Sequence, residues 1–401
     1  MNKPYEKKIY FGMAIDPIHV GTGGYTLGRV DNPTLRDFDG VPKIPGTSIE
    51  GACRTYEYFQ GLGRNKACSK GKKIKEENRE IIPCGNCSIC LAHGFTRDDR
   101  SLQGMALFSD AKILFFPVAS LIGPIWVTCP SRLKELNVNQ NTWQDFDESE
   151  VCIVSDHLKQ KLESVGYLNF GWLLLQLKKE NNQVTTHSIT PRTTFEIDSG
   201  RLKFMDRGFD LNEIFERLVI VSNSVFSQIV DSNLEVRTSV SIDPTTGAAE
   251  EGALFTYEAI PRTTIFYFDV VYQKPEHFGL NIEVNGKRNL EAIVAAVETG
   301  FKLFEFLGVG GMGTRGFGKL RLFGLDKKYD KVRLSEIHTK NLATEVRKLN
   351  EKLKETQTDN EREIINEKIK ELQDKVKQMA NETQKIAANW EKVYEEVKKN
   401  G

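Results

Sequence analysis

The chain has 401 residues, of which 39% are hydrophobic and 27% charged, and its 55 basic and 55 acidic side chains give a formal net charge of zero. This composition excludes a chain disordered over most of its length, a collagen-like protein and a disulfide scaffold. It also argues against a generally basic DNA-coating protein, so any nucleic-acid surface must be local.

Hydropathy and cysteine usage predict the compartment. No stretch reaches 18 unbroken apolar residues, so no membrane-spanning helix is expected. The first residues lack the long apolar run of a signal peptide. An odd number of cysteines, 7, without such a signal predicts reduced thiols in the cytoplasm.

The predicted elements of the body mix strands and helices. In chain order they are a strand at 9–15, a helix from a Thr-Ser-Ile-Glu capping box at 47–50 to about 60, strands at 107–118, 124–128 and 167–177, a helix at 211–229, a long hairpin at 235–257, a strand at 263–271, a helix at 290–306 and a strand at 319–323. This order predicts an α+β, ferredoxin-like body with large insertions.

The loop after the first predicted strand is rich in glycine and proline. It carries His19 and Asp31, and it continues through a Gly-Val-Pro-Lys-Ile-Pro-Gly run at 40–46. A histidine or aspartate on such a loop is commonly just solvated, so the residues alone give only a weak indication of catalysis.

Three cysteines lie within seven residues, which favours a metal site over disulfides. They are Cys84, Cys87 and Cys90, and Gly85 permits the tight turn between the first two. Structural zinc takes four ligands; the nearest fourth cysteine is Cys68, and His93 is the alternative.

Two other interpretations of the cysteines remain open. An iron–sulfur cluster could use Cys129, which precedes a proline as in part of the bacterial ferredoxin pattern. A loop without metal is the other. Cys129 ends an apolar strand and is expected in the core, so zinc is the preferred interpretation.

Two further segments could bind phosphate. Residues 61–80 carry seven basic and three acidic side chains, which indicates either a solvated loop or a phosphate-binding patch that includes Lys70, Lys72 and Lys73.

Residues 308–318 hold six glycines, Gly310 and Gly311 among them, so the backbone could lie flat against a ligand. Beside them Arg315 and Lys319 add charge, and Phe317 adds a face for stacking. The spacing fits neither a Walker A loop nor a Rossmann loop, and it favours a polynucleotide backbone.

The composition changes near residue 335. Ten positions from Ile365 to Val397 step by four and three, which is a heptad seam, and an earlier seam runs from Leu342 to Leu353. A Thr-Asp-Asn-Glu capping box at 358–361 separates them. Residues 336–401 are therefore predicted to form a charged helical hairpin or coiled coil. It is either a solvated spacer or, because a single seam needs a partner, an arm that docks another protein and is dispensable for the body's activity.

Together these segments resemble the RAMP superfamily of CRISPR effector proteins, and within it the family of the fourth subunit, the backbone subunit, of the type III-B (Cmr) complex. The matching stretches are residues 19–24, Asp31 with 40–48, 109–112 with 116–120, 126–130, 241–258 and 308–319. The tail lies outside the resemblance. One departure is Glu50-Gly51, which stands where the family has Lys-Gly, although Arg54 is kept.

The resemblance implies a modified ferredoxin-like, RNA-recognition-like palm over residues 1–335, with an inserted metal-binding loop at 61–95 and a thumb hairpin at 233–257. Several copies would stack on one guide RNA, together with other subunits of the effector complex. They would cleave complementary target RNA at regular intervals, as an endoribonuclease in antiviral defence. Sequence choice would come from base pairing, so the protein need read only backbone and shape.

The resemblance also implies roles for residues. Asp31 matches an aspartate that supports cleavage dependent on Mg²⁺ or Mn²⁺, in which the RNA 2′-hydroxyl attacks the adjacent phosphorus. His19 is a candidate for proton transfer or phosphate contact, and Glu251, expected at the thumb base, could assist from the same or the next subunit. The predicted RNA contacts are Arg54, Lys70, Lys72, Lys73, Gly310, Gly311, Arg315 and Lys319.

Two alternatives stay open. One is a scaffold subunit that binds guide RNA without cutting. The other is a guide-processing endoribonuclease of the same superfamily, which cuts precursor RNA without metal. The hairpin and the cysteine cluster favour a filament subunit over the processing enzyme.

Overall fold

The computed structural model describes residues 3–23, 30–136, 147–153, 155–180, 183–184, 203–204, 209–280, 283–284, 287–323 and 325, with residues 350, 353, 361, 365–370 and 373–374. The chain divides into two units, Met1–Gly324 and Leu325–Gly401. Within the described residues, no helix has the length and apolar character required to cross a membrane.

The strands are numbered in chain order. The first twelve are β1 (Tyr5–Ala14), β2 (Lys43–Ile44), β3 (Ile74–Glu76), β4 (Arg79–Ile81), β5 (Gly94–Thr96), β6 (Ser101–Gln103), β7 (Ala106–Phe108), β8 (Ala111–Ser120), β9 (Gly123–Thr128), β10 (Glu150–Ile153), β11 (Tyr167–Phe170) and β12 (Leu173–Leu177). The others are β13 (Lys179–Glu180), β14 (Gln183–Val184), β15 (Lys203–Phe204), β16 (Phe209–Asp210), β17 (Leu218–Ile220), β18 (Glu235–Ile242), β19 (Ala249–Ala259), β20 (Ile265–Gln273), β21 (Glu283–Val284), β22 (Lys287–Arg288) and β23 (Leu320–Leu322).

The helices connect and cover these strands. They are α1 (Gly46–Phe59), α2 (Lys66–Lys70), α3 (Ser88–His93), α4 (Pro130–Glu135), α5 (Asp156–Leu162), α6 (Leu211–Glu216), α7 (Asn223–Ser232), α8 (Asn289–Phe301) and α9 (Phe304–Leu307). Two 3-10 turns lie at Pro275–Phe278 and Gly313–Arg315.

A large mixed sheet organises the first unit. Its strands follow the order β11-β12-β10-β17-β9-β8-β20-β1-β23, with β2 paired to β8 and β7 to β20. The pairs β10–β12 and β9–β17 are parallel, whereas β1, β20 and β8 pair antiparallel. The predicted mixture of helices and strands in one body is therefore confirmed.

The core lies on both faces of this sheet, because side chains alternate along each strand. On one face Tyr10 contacts Phe268 and the α8 residue Phe301, with ring centroids 5.6 and 5.0 Å away. On the other face Phe11 and Met13 join a buried cluster that includes residues of α4 and α6.

Three sequence predictions about elements are wrong. The helix predicted at 211–229 is α6, strand β17 and α7; β17 lies between β10 and β9, and its three residues are fully buried. A short apolar run does not by its periodicity distinguish a buried strand from a helix. The strand predicted at 167–177 is the β11–β12 hairpin, which turns at Gly171 with φ of +61°. The strand predicted at 107–118 is interrupted between β7 and β8.

The capping box predicted at 47–50 is also wrong. Helix α1 begins at Gly46 after Pro45, which makes no side-chain cap. The backbone N–H of Gly46 instead donates to the carboxylate of Asp110, at 2.8 Å. The helix N-terminus is therefore capped by Asp110, which is distant in sequence, and not by the predicted local capping box.

Strands β18 and β19 form a separate two-stranded hairpin, paired from Glu235 opposite Ala259 to Ile242 opposite Ala249. The tip is an Asp243–Gly247 turn, in which Asp243 accepts a hydrogen bond from the N–H of Thr245. Most of β18 is exposed, so this hairpin adds little to the core.

The predicted tail lies largely outside the described residues. Of its seam positions, Leu353, Ile365 and Ile369 are described, and all are helical. Ile369 is buried, with 7% of its surface exposed.

Candidate functional site

The loop between β1 and β2 is attached to the lower end of the β18–β19 hairpin. Ile18 forms a backbone bridge with Ile260, and Asn32 with Tyr257. The N–H of Asn32 donates to the carbonyl of Thr256, at 3.0 Å. The loop that the sequence singled out therefore lies where the hairpin joins the body.

Asp31 is held by a single residue of β19. Its Oδ2 accepts hydrogen bonds from the backbone N–H of Thr256, at 2.8 Å, and from the Thr256 hydroxyl, at 2.7 Å. The backbone bond, followed by the hydroxyl bond, lowers the pKa of Asp31. Asp31 is partly exposed, so it presents an ionised carboxylate to solvent at a fixed position.

Glu258 organises the same loop from below. It is buried, and its Oε2 accepts hydrogen bonds from the N–H and the hydroxyl of Thr34, at 3.0 and 2.9 Å. Its Oε1 accepts a hydrogen bond from Arg36 at 2.8 Å. Because Thr256 and Glu258 are two residues apart on one strand, they lie on one face and fix successive parts of the loop.

His19 is a buried residue of the same loop. Its Nδ1–H donates to the backbone carbonyl of Glu258 at 2.6 Å, and its ring packs edge-on against Tyr257. Only 6% of His19 is exposed. This position supports a packing role, and it does not favour the predicted proton transfer to RNA.

The glycine-rich loop at 308–318 packs on this histidine. The N–H of Gly311 donates to the carbonyl of His19 at 2.9 Å. A Cβ on Gly310, whose φ is +89°, would lie 2.5 Å from that same carbonyl oxygen. Here the glycines permit close approach of two protein segments. The sequence had instead suggested that they let the backbone approach a ligand.

The side chains of the glycine-rich loop differ from their predicted roles. Phe317, predicted as a stacking face, is 4% exposed and lies under the guanidinium of Arg237, 4.8 Å from the ring centroid. That prediction is wrong. Lys319 pairs with Asp16 at 2.9 Å, while Arg315 is exposed near the hairpin residue Ser239.

Glu251 is not at the hairpin base. The strand register sets it close to the Asp243–Gly247 turn. Five residues separate it from Thr256, or about 17 Å along an extended strand. The expectation of a base position was wrong, because the SIDPTTG segment forms the tip of the hairpin. The side chain of Glu251 lies outside what the structure describes.

The four predicted cysteines come together. The Sγ atoms of Cys68, Cys84, Cys87 and Cys90 all lie within 4.8 Å of one another. The N–H of Cys84 points to the sulfur of Cys68 at 3.4 Å, and Gly85 has a φ of +76°. Cys129 is buried at the start of α4, as expected for a core cysteine.

The alternative ligand His93 is turned elsewhere. Its Nδ1 lies 2.9 Å from a carboxylate oxygen of Glu50 and its Nε2 lies 2.7 Å from one of Glu57. Glu50, which stands where the family has lysine, therefore pairs with His93. The fourth member of the cysteine cluster is Cys68.

Arg54 attaches the cysteine-containing insertion to α1. Its guanidinium donates to the carbonyls of Cys68 and Gly94, at 2.9 and 2.7 Å, and lies 3.7 Å from Glu50. Its side chain is 12% exposed. These contacts do not favour the predicted RNA contact, because the donors are already engaged by protein.

The basic loop keeps part of its predicted charge free for a ligand. Lys70 and Lys72 are exposed. Lys73 forms ion pairs with Glu80 and Asp98, at 3.3 and 3.2 Å. The local charge is therefore smaller than the count of lysines suggested.

Sequence reasoning did not identify Thr256 and Glu258. Both lie within the matched 241–258 stretch, and the alternation of Thr256, Glu258 with Phe255, Tyr257 was the available signal. Two polar residues at i and i+2 on a strand indicate a polar face. Their partners in the loop, more than 200 residues earlier in the chain, were not readable.

The chain is similar to known proteins in sequence and in fold. The model of the RAMP superfamily matches residues 13–321. The chain is 28% identical over 298 residues to the CRISPR system Cmr endoribonuclease Cmr4 of Pyrococcus furiosus. The aligned region covers 69% of this chain and 85% of that protein.

A solved structure is similar in fold. It is the cryo-EM structure of the type III-B Cmr-beta bound to cognate target RNA, with a TM-score of 0.50 and 17% identity, covering 80% of this chain and 98% of that chain. The family model spans well over half of the sequence, from the end of β1 through the β18–β19 hairpin into β23. The chain belongs to the RAMP superfamily.

Proposed function

We propose that this protein is a backbone subunit of a type III-B CRISPR effector, which binds guide RNA in several copies and cuts complementary target RNA at regular intervals. The observation that carries the proposal is Asp31, an ionised and accessible carboxylate fixed by Thr256 where an exposed hairpin joins the palm. The similarity to a Cmr endoribonuclease over 69% of the chain supports it.

The residues fit a catalytic divalent ion. Oδ2 of Asp31 takes both hydrogen bonds from Thr256, and a hard cation such as Mg²⁺ or Mn²⁺ would bind this carboxylate and complete its shell with water and phosphate. Such an ion supplies stabilisation of negative charge on the phosphate. Asp31 would hold such an ion beside the phosphate. The 2′-hydroxyl oxygen of the displaced nucleotide attacks the adjacent phosphorus and gives its proton to solvent. The bond from phosphorus to the 5′-oxygen breaks, and that oxygen takes a proton from water, so the products carry a cyclic phosphate and a 5′-hydroxyl.

Other residues take supporting roles in this proposal. The β18–β19 hairpin acts as the thumb that displaces a nucleotide pair. Its exposed apolar residues, such as Val240 and Leu254, suit contact with bases. Lys70, Lys72 and Arg315 contact the RNA backbone. Glu251 assists only the neighbouring copy, because it lies near the tip and far from Asp31 of its own chain.

A mapping experiment separates this function from the two alternatives. The assembled complex is incubated with labelled complementary RNA, with magnesium and with chelator, and the cut positions are read on a sequencing gel. Regular cuts in the target that require magnesium support the proposal. Binding without cuts indicates a scaffold subunit, and metal-independent cuts in precursor guide RNA indicate the processing enzyme.

The hydroxyl of Thr256 tests the positioning of Asp31. Thr256→Val keeps the backbone donor but removes one hydrogen bond to the carboxylate, so the pKa of Asp31 should rise. We expect target cleavage to fall roughly tenfold, the equivalent of one charge-assisted hydrogen bond, and the acid limb of the pH–rate profile to move to higher pH. Thr238→Val is the matched control, since Thr238 is exposed and faces Thr256 across the hairpin. Equal rates and profiles for both variants would exclude this role.

We also propose that the four cysteines hold one structural zinc. Four cysteine sulfurs within 4.8 Å of one another match a tetrahedral zinc site, in which the cation offsets the charge of the thiolates it binds. Cys87→Ser should lose about one zinc per chain, and residues 61–95 should become sensitive to proteolysis, because ligand binding and local folding are linked. Cys129→Ser is the control, since serine suits its N-cap position. Iron with acid-labile sulfide, or no metal in the unaltered protein, would contradict the assignment.

A further inference from the structure

A second group of metal-ligand side chains lies between α1 and α3. It consists of Cys53, Glu57 and His93, whose ligand atoms lie within 4.8 Å of one another. Oε1 of Glu57 is 3.4 Å from the sulfur of Cys53 and 2.7 Å from Nε2 of His93. Cys53 and Glu57 are four residues apart on α1, so they share a face of the helix.

This group is sealed from solvent. Cys53 and Glu57 have no exposed surface, and neither does the side chain of His93. Helix α8 closes the group from above at Gly300, where a Cβ would lie 2.7 Å from the Cys53 sulfur. Within the described part of the chain, Oε2 of Glu57 has no hydrogen-bond partner. A buried carboxylate oxygen without a partner is costly.

His93 is oriented as metal-binding histidines commonly are. Its Nδ1 faces the carboxylate of Glu50 at 2.9 Å, and its ring stacks on Phe108 with an interplanar angle of 9°. Nε2 therefore points to Glu57 and Cys53. A carboxylate on the second ring nitrogen fixes the tautomer and raises the basicity of a ligating imidazole.

We propose that Cys53, Glu57 and His93 form a second metal site, which takes one zinc ion. One thiolate, one imidazole and one carboxylate are the three ligand types that zinc accepts in proteins, and the thiolate disfavours magnesium and calcium. Both oxygens of Glu57 bring the number of donor atoms to four, which gives Oε2 a partner. This site is independent of the proposed RNA cleavage.

The charges balance with and without the ion. In the metal-free chain the Cys53 thiol is neutral, because burial raises its pKa, and protonated His93 with Arg54 offsets the adjacent carboxylates of Glu50 and Glu57. Binding of one Zn²⁺ displaces the Cys53 thiol proton and the Nε2 proton of His93, which leaves the total charge of the group unchanged. Because α1 belongs to the palm and α3 to the cysteine-containing insertion, the ion would join the two.

Zinc content of the full chain tests the site. Protein is purified from zinc-supplemented cells, and zinc per chain is measured by elemental analysis. We expect about two zinc ions in the unaltered protein and about one in Cys53→Ser and in His93→Gln. Cys87→Ser should also retain about one, by loss of the other ion, and Cys129→Ser should retain two.

The pattern of losses separates the two zinc proposals. One zinc in the unaltered protein, lost in Cys87→Ser and kept in Cys53→Ser, would overturn the second site and leave the cysteine cluster. One zinc lost in Cys53→Ser and kept in Cys87→Ser would do the reverse.

A cobalt titration guards against variants that misfold, because it uses the unaltered protein. The chain is refolded from denaturant with increasing Co²⁺, and the thiolate-to-cobalt charge-transfer absorption is recorded. The site with one thiolate should add about a quarter of the intensity of the site with four. Saturation after one equivalent would overturn the second site.

Discussion

Replacing Asp31 by alanine is expected to leave binding of guide and target RNA intact and to reduce target cleavage by roughly 100–1,000-fold, the usual effect of removing one electrostatic group from a transition state. Asp31→Asn should give the same result. Its side-chain oxygen can still accept the hydrogen bonds from Thr256, so the loop keeps its structure while the charge is lost. The measurement is the single-turnover rate of cutting in the assembled complex.

Asp147→Asn is a matched control for this prediction. Asp147 is an exposed aspartate whose carboxylate, like that of Asp31, accepts the backbone N–H and the hydroxyl of one residue, here Ser149, both at 2.8 Å. It lies outside the loop between β1 and β2, so its variant should cut at the normal rate. If Asp31→Ala also cut at the normal rate, the protein would be a scaffold subunit.

Replacing Glu258 by glutamine is expected to destabilise the protein by about 3 kcal/mol, because it removes a buried charge that accepts hydrogen bonds from Thr34 and Arg36. Either amide orientation turns an NH₂ group toward Arg36 or toward the two donors of Thr34, so one set of hydrogen bonds becomes repulsive. The free energy of unfolding from chemical denaturation measures the change.

Glu250→Gln is the control, since Glu250 is exposed on the same strand and should change stability by no more than about 0.5 kcal/mol. A similarly small change for Glu258→Gln would show that the loop does not depend on this carboxylate. Cleavage by Glu258→Gln should also fall, because Asp31 and Thr34 belong to one loop attached to one strand.

The predictable parts of the fold were those with strong local signals. Strands β1 and β20 and helix α1 could be located to within a few residues, because long apolar or amphipathic runs end close to glycine or proline. Strand β17 could not, since three apolar residues fit a helix as well as a strand. The N-terminus of α1 depends on Asp110, which is 64 residues from Gly46, and local sequence does not contain that pairing.

The candidate site followed the same division. Three closely spaced cysteines near a glycine were sufficient to predict a cluster, although its fourth member, Cys68 or His93, stayed open, and Asp31 could be selected through resemblance. The partners of Arg54 and His93 could not be predicted, because a charged residue on a helix gives no indication of what packs above it. Phe317 shows the converse: an aromatic residue among glycines looks exposed in the sequence, yet the fold buries it under Arg237.

The attachment of Asp31 to Thr256 has a mechanical consequence for an RNA-guided cutter. The carboxylate is hydrogen-bonded to β19, the strand that leads to the hairpin tip, so a tilt of the hairpin base would move Asp31 with it. In the proposed mode of action, each copy of the protein therefore fixes the distance between the displaced nucleotide and the cut. Lengthening the turn within Asp243–Gly247 would change how far the hairpin reaches. The position of Asp31 relative to the hairpin base would stay the same.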